Sequence, residues 1–539
     1  MGLRVCLVTP FAWSLPHDVN DHVAGIAEEL RTLGHTVTVL APSNRAADLR
    51  AGRKALQRGE LGDVVAVGPA LPVSRRSTMA TPVGVRANLA LALALGQFDV
   101  VHGFEPGLPS LSYLALRDAH ALSVATFFSP DRLFYPAGKA QRARLLGRVD
   151  ALLATSADTA AAAAERFPGD YRVVAPGVDV DVFRPGKKRQ KIVAELVPGD
   201  REAARKAIRN LEDGWDLTII RRNALAAKPY VPLRLRPRVH VRTRPSAAQR
   251  AELLNEASRF VPASNGSRRL ALEAVAAGAA TGAAPISLAD VASELDRLYR
   301  KLAARRRAIH VDDDPLSDRE WVVCDLHTHT SWSHDCSVPA GALLAAAEEI
   351  GLGAIAVTDH NVFGGAREAV ELARDRSLIV IPGEEVKTKG QGEVIGLYLR
   401  EEIPRGLSFE DTIAAIRAQG GLVFLPHPFD RRHAIPDPAT LHRHLAEIDV
   451  LEVYNARLLK ETYNDEALRF ARKYNLLQGA GSDAHVLPGL GTGAVRMREF
   501  RTPEEFLISL RSAEILRRPK SLAYLQSLKW VAQVKEKVR

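Results

Sequence analysis

From residue 321 onward, short apolar runs each lead into a histidine or a carboxylate, and this pattern constrains the chain more than any other. Trp321–Cys324 leads into His327 and His329, and Ala354–Val357 into Asp359 and His360. Leu378–Ile381 precedes Glu385, Leu422–Leu425 precedes His427, and Leu477–Ala480 precedes Asp483 and His485. Two further runs, Val394–Leu399 and Val450–Tyr454, bring the number of expected strands to seven. Helical patterns over 338–350, 365–374, 408–418, 461–474 and 502–512 separate them. Apolar strands alternating with helices predict parallel βα units. In a barrel of such units the strand C-terminal ends converge on one face, where reactive side chains collect. A distorted (β/α)7-type barrel is therefore expected.

Imidazoles and carboxylates suit Zn²⁺, Mn²⁺ or Fe²⁺. No thiolate belongs to the clusters, which argues against a structural zinc finger. A carboxylate-rich set fits a hydrolytic multi-metal site. A single His at a strand end is ordinarily a satisfied polar group, but five such clusters at five run ends are harder to assign to chance. His310, His433, His442 and His444 stand outside these clusters and are expected to be surface or structural histidines.

The clusters read DLHTHTSWSHD, TDHN, PGEEV, PHPF and GSDAH in chain order, and residues 321–515 so resemble a PHP domain. This is the polymerase and histidinol phosphatase superfamily of metal-dependent phosphoesterases. The resemblance implies that His327, His329, Glu385 and Asp483 hold one metal, with Glu385 bridging to a second that His427 also binds. It implies a third held by Asp335, His360 and His485, hence two or three Mn, Zn or Fe ions per chain. Glu385 is chosen over Glu384 because the family places its ligand two residues after the glycine. Family members often supply a further His between that glutamate and His427, whereas residues 386–426 contain none. Glu393 is the nearest substitute. Asp359 is expected to orient His360 from behind, and Arg431, Arg432 or Arg457 to meet substrate phosphate. The implied substrate is a small phosphorylated molecule.

The first half follows a different pattern. Strand-like runs at 3–8, 36–40, 98–102, 123–126, 151–155 and 172–174 alternate with helices, predicting a doubly wound α/β unit. RVCLVTPFAWSLPHDVNDHV, ELRTLGHTVTVLAPS, FDVVHGFEPGLPSL and APGVDVDVFRP make residues 1–185 resemble the N-terminal domain of family 4 glycosyltransferases, of GT-B type. A decayed second half of that fold is expected at 186–285. The departures fall where the chemistry would be. His17-Asp18 replaces the glycine pair, and Phe104 and Phe128 stand at family histidines. The glycine-arginine…lysine signature is missing from KIVAELVPGDRE, and Asn265 stands where the first of two glutamates would precede Glu273. The resemblance thus implies a Rossmann-like fold that has lost sugar transfer, with a sugar or nucleotide ligand still open as a binding partner.

A chain of 539 residues exceeds what one core supports, so several domains are expected. The boundaries predicted are 1–185, 186–285, a charged linker at 286–320, the barrel at 321–515 and a basic amphipathic tail at 516–539. Three cysteines suggest no disulfide framework and fit a reducing cytoplasm. Neither a signal pattern nor an apolar stretch long enough to cross a membrane is found. The net charge of +10 favours acidic partners. The basic runs 221–245 and 301–310 lack the interleaved aromatics of a single-strand groove, so nucleic acid is disfavoured and a solvated face expected. The tail is expected to pack as a last helix, with peripheral membrane contact as the alternative. Three functions remain: phosphoester hydrolysis, active glycosyl transfer, or a non-catalytic scaffold.

Overall fold

The computed structural model describes residues 2–72, 78–79, 84–221, 226–264, 266–308, 314–432 and 434–518. The chain divides into two compact units, Met1–Ala303 and Ala304–Arg539.

The first unit opens with β1 (Arg4–Val8), β2 (Thr36–Ser43) and β3 (Val64–Pro69), then a small hairpin, β4 (Leu71–Pro72) with β5 (Thr78–Met79). β6 (Val100–Phe104), β7 (Leu122–Phe127), β8 (Ala151–Ala154) and β9 (Tyr171–Val173) follow. Seven of these form a parallel sheet in the order β3-β2-β1-β6-β7-β8-β9. A reversal of strand order about β1 marks a doubly wound sheet. Strand β3 lies outside the sequence expectation. A second parallel sheet, β12-β11-β10-β13, uses β10 (Arg189–Leu196), β11 (Asp216–Arg221), β12 (Val239–Thr243) and β13 (Ala257–Val261).

The segment expected as linker from 286 begins instead with a helix, Leu288–Ala303, that belongs to the first unit. Its Leu288, Val291, Leu295, Leu298 and Leu302 recur at helical spacing and are buried. Tyr299 OH meets His102 Nδ1 at 2.6 Å, and Asp296 meets His35 Nε2 at 2.8 Å. Asp290, Arg297, Arg300 and Lys301 occupy the exposed face of this helix. Of the expected tail, residues 516–517 complete the edge strand Glu514–Arg517, while residues 519–539 lie outside the described residues.

Beside the second sheet, two acidic side chains occupy backbone amides ahead of the helix Arg268–Ala276. Glu195 accepts from Ser267 N at 2.9 Å and Ala263 N at 3.4 Å, and Asp200 accepts from Ser264 N at 2.7 Å. Burial raises the Glu195 carboxyl from an ordinary 4.5 to about 7, against those amide bonds. A carboxyl raised in the folded state favours folding below its unfolded pKa, and that contribution is lost as pH climbs through the folded value. The first unit of wild type should therefore lose up to about 3 kcal/mol relative to Glu195→Gln between pH 4.5 and 7. Paired denaturant melts across that interval read the difference, and parallel curves would refute it.

The second unit strings together β14 (Trp321–Thr328), β15 (Ala354–Val357), β16 (Ile379–Lys387), β17 (Glu393–Leu397), β18 (Leu422–Leu425), β19 (Val450–Asn455) and β20 (Leu477–Gly481). β21 (Gly493–Arg498) and β22 (Glu514–Arg517) extend the β14 edge antiparallel. The sheet nearly closes into a barrel: Asp483 N donates to His327 O at 2.8 Å and His329 N to Ala484 O at 3.2 Å. All seven expected strands are present, with one difference in direction. β17 runs antiparallel to both β16 and β18, because a turn over 388–392, with Gly390 and Gly392 at φ +81, leaves no room for a crossover helix. The five expected helices appear at Ala340–Glu349, Gly364–Leu372, Phe409–Ala418, Glu461–Tyr474 and Pro503–Ser509, and a short Pro438–Arg443 adds to them. Cys324, Leu326, Ala354, Ile381, Ile395, Phe424, Val450, Ala480 and Val495 contribute to the barrel core.

Candidate metal centre

Alternation along β14 sets the site. Cys324 and Leu326 enter the core, so Asp325 and His327 face the opposite way, with His329 one residue past the strand. The same alternation separates the two glutamates of β16. Glu385 points into the histidine cluster, whereas Glu384 is buried elsewhere and accepts from Ile403 N at 2.8 Å. Burial lifts the Glu384 carboxyl to about 7.

Glu385 is the centre of the arrangement. Its Oε2 lies 2.9 Å from His360 Nδ1, 3.3 Å from His327 Nε2 and 3.6 Å from His329 Nε2. Its Oε1 lies 3.1 Å from His427 Nε2. Asp483 Oδ1 stands 3.4 Å from His329 Nε2 and 3.3 Å from His485 Nδ1, and Asp335 Oδ2 is 2.9 Å from His485 Nε2. Asp335 Oδ1 stands 3.7 Å from His360 Nε2, and Glu393 Oε2 3.8 Å from His427 Nε2. All eight side chains expected to hold metal, and Glu393 with them, are thus brought together. His427 and Asp483 adopt left-handed backbone, φ 25 and 53, just beyond β18 and β20. Non-glycine residues hold that conformation only where surrounding structure enforces it.

Two features show that these groups fit divalent cations. His327 Nε2 and His329 Nε2 face each other at 3.1 Å, while Glu452 Oε1 takes His327 Nδ1 at 3.0 Å and Ser333 Oγ meets His329 Nδ1 at 3.2 Å. With each Nδ1 engaged from behind, the Nε2 lone pairs are left to converge. Burial, with His485, His360 and His327 alongside, holds His329 well below the usual imidazole range, so it offers a lone pair rather than a proton. Burial acts the same way on His327, but Glu385, Glu452 and Asp483 override it and hold that imidazole well above its range. Groups of three within 4.8 Å of one another include His329-His360-His485, His327-His427-Asp483, His327-His329-Glu385 and His360-Glu385-Glu393.

The structure qualifies two expectations. Asp359 does not meet the His360 ring. It accepts from Thr330 N and Thr330 Oγ1, both at 2.7 Å, and from Ser333 Oγ at 2.8 Å. It is linked to the histidines by Ser333, whose Oγ also accepts from His360 N at 3.0 Å. A Cβ on Gly365 would fall 2.0 Å from the Asp359 carboxylate, so that position requires glycine. Among the arginines, Arg457 enters the site: Nη1 is 3.1 Å from Asp483 Oδ1 and 2.9 Å from His485 Nδ1. Arg431 and Arg432 are exposed on the loop after β18. His442 meets Tyr474 OH at 2.8 Å and His444 meets Glu447, while His310 and His433 lie outside the described residues.

Sequence reasoning missed Glu452 and the role of Asp325. Glu452 sits in β19, 1% exposed, and also accepts from His427 N at 2.7 Å. An acid inside the apolar run VLEVY was the available signal. Asp325 accepts from Ser482 N and Gly491 N, both at 2.9 Å, and so ties β14 to the loop carrying Asp483. Glu452→Gln should weaken metal affinity about 10- to 100-fold by loosening both His327 and His427. Competition with a chromogenic chelator measures this, and an unchanged affinity would remove Glu452 from the site.

Comparison with known proteins agrees with this geometry. A PHP domain model matches residues 325–464, a PHP-associated model residues 461–515, and Glycosyltransferase Family 4 residues 19–182. An uncharacterized protein of Methanocaldococcus jannaschii is 33% identical over 211 residues, which is 37% of this chain and 84% of that protein. The phosphatidyl-myo-inositol mannosyltransferase of Mycobacterium tuberculosis is 30% identical over 190 residues, 34% of this chain but only 46% of that enzyme. The crystal structure of PsfC from Pseudomonas syringae aligns with 40% of this chain and 99% of its own, at 19% identity and TM-score 0.33. The chain belongs to the PHP family through residues 325–515 and carries a Glycosyltransferase Family 4 region ahead of it.

Proposed function

We propose that the second unit hydrolyses a small phosphorylated substrate with two or three bound Mn, Zn or Fe ions, and that the first unit no longer transfers sugar. The observation that carries the metal reading is Glu385, whose two oxygens serve histidines on opposite sides, His327 and His360 on one and His427 on the other. In this reading His327, His329, Glu385 and Asp483 hold one ion, and Glu385, His427 and Glu393 hold a second. Asp335, His360 and His485 hold the third. Bound cations supply Lewis-acid polarisation of the phosphoryl group. Glu452 and Ser333 fix the imidazole tautomers, and the barrel wall limits water. Arg457, 35% exposed at its side chain, presents a fork-shaped cation to phosphate oxygens. Three buried free cysteines suit a reducing, cytoplasmic setting.

For the first unit, the losses at His17-Asp18, Phe104 and Phe128 are joined by a charge argument. Glu195 and Asp200 occupy the amides ahead of the helix Arg268–Ala276, where an anionic ligand would otherwise be favoured. Glu273 is held by Arg250 at 2.8 Å and Arg269 at 3.1 Å. Asn265 lies outside the described residues. A binding or regulatory role follows, with a nucleotide or sugar ligand left open.

Elemental analysis of chelator-free protein, followed by phosphate release from phosphomonoesters, tests the proposal. Two or three equivalents of metal that disappear in His327→Ala/Asp483→Ala, together with the phosphate release, are expected. Absence of metal after resupply of Mn²⁺ or Zn²⁺, or hydrolysis that survives the double substitution, would overturn it.

A further inference from the structure

Residues 226–244 contain Lys228, Arg234, Arg236, Arg238, Arg242 and Arg244 and no Asp or Glu. The same stretch carries the two most exposed large hydrophobic side chains among the described residues, Tyr230 at 81% and Leu233 at 73%. The segment is anchored. Ala226, Leu235 and Val239 are buried in a core with Ile192 and Ile219, and Pro229, Pro232 and Pro237 restrict the backbone between them. Arg238 is tied down by Glu212 O at 3.0 Å and Asp213 at 3.2 Å, while Lys228, Arg234, Arg236 and Arg242 are exposed. The stretch ends in β12, the edge strand of the second sheet. A cation on an edge strand discourages pairing with another chain, which accounts for Arg242. It does not account for a tyrosine and a leucine held out in water three residues apart.

We propose that this face docks on an anionic lipid surface, with Tyr230 and Leu233 entering the headgroup region and Lys228, Arg234, Arg236 and Arg242 meeting lipid phosphates. The side-chain types select the partner. A tyrosine has an apolar ring and a wet hydroxyl suited to an interface, and an exposed leucine gains only where water is absent. Anionic leaflets attract clustered Lys and Arg. A single-stranded nucleic acid would call for successive aromatic platforms, whereas this segment has one aromatic residue and an aliphatic one that cannot stack.

Co-sedimentation of the full chain with vesicles tests the proposal, using phosphatidylcholine alone or mixed with about one-third phosphatidylglycerol in about 0.1 M salt. The wild type should pellet with the anionic vesicles only. Tyr230→Ser/Leu233→Ser should lower the partition roughly tenfold, and Arg234→Glu/Arg236→Glu/Arg242→Glu by about a hundredfold. Circular dichroism melts of both variants should match wild type, because every substituted side chain is exposed. Three outcomes would each overturn the proposal: no pelleting of wild type, equal pelleting with phosphatidylcholine, or pelleting that survives both variants and so runs through another surface. A labelled single-stranded oligonucleotide that binds instead, with loss in the same variants, would reassign the face to nucleic acid.

Discussion

Replacing Glu385 by Gln is expected to remove phosphate release almost completely, by about a thousandfold or more. The substitution keeps the shape of the side chain and removes its charge, while four imidazoles, His327, His329, His360 and His427, stand within 3.6 Å of its oxygens. An amide presents a donor to at least one of these nitrogens and cannot offset two cations. Metal content should fall in parallel, and this separates a binding defect from a purely chemical one. Glu384→Gln is the internal control, because alternation along β16 sends that side chain to Ile403 N and not to the cluster. Equal losses in the two variants would sink the assignment of Glu385 as the shared ligand.

The second large effect concerns stability. Arg250 is 4% exposed and reaches both oxygens of buried Glu273 at 2.8 Å, and Asp21 at 2.9 Å, within the first unit. Arg250→Ala leaves two carboxylates with reduced compensation, one of them fully buried, and should destabilise that unit by about 3–5 kcal/mol. The remaining bond from Arg269 to Glu273 places the expected value toward the lower end. Arg209→Ala, which removes a solvent-exposed partner of Glu202, should change stability by less than about 1 kcal/mol. Denaturant unfolding decides: a loss near that of Arg209→Ala would mean that water already serves the Arg250 network.

The fold was legible where periodicity was strong. The seven barrel strands, the five helices between them and the first sheet apart from β3 are written as apolar runs punctuated by turns. Direction was not, and β17 shows why: a strand of EVIGL carries the same pattern whichever way it runs, and only the length of the connection from β16 distinguishes the two. The linker expectation failed at Leu288–Ala303 because charge was weighed above the spacing of Leu288, Val291, Leu295, Leu298 and Leu302. At the site, side chains carried by short motifs were all anticipated. Glu452 was not, because a residue that acts by holding another leaves no motif of its own, and Asp325, which opens DLHTHTSWSHD, shows its role only in the folded chain. Asp359 illustrates the same limit, since its partners Thr330 and Ser333 are named only by the folded chain.

Glu195 and Asp200 have a thermodynamic consequence of their own. A domain that binds an anion at a helix start gains stability in proportion to the logarithm of ligand concentration over its dissociation constant. Here the chain furnishes the acceptor oxygens itself, so those amides are served at a fixed, saturating effective concentration. The barrel, whose proposed cations would come from solution, should melt lower in chelator, whereas the first unit should not. One protein would then show two unfolding transitions, of which only one answers to chelator.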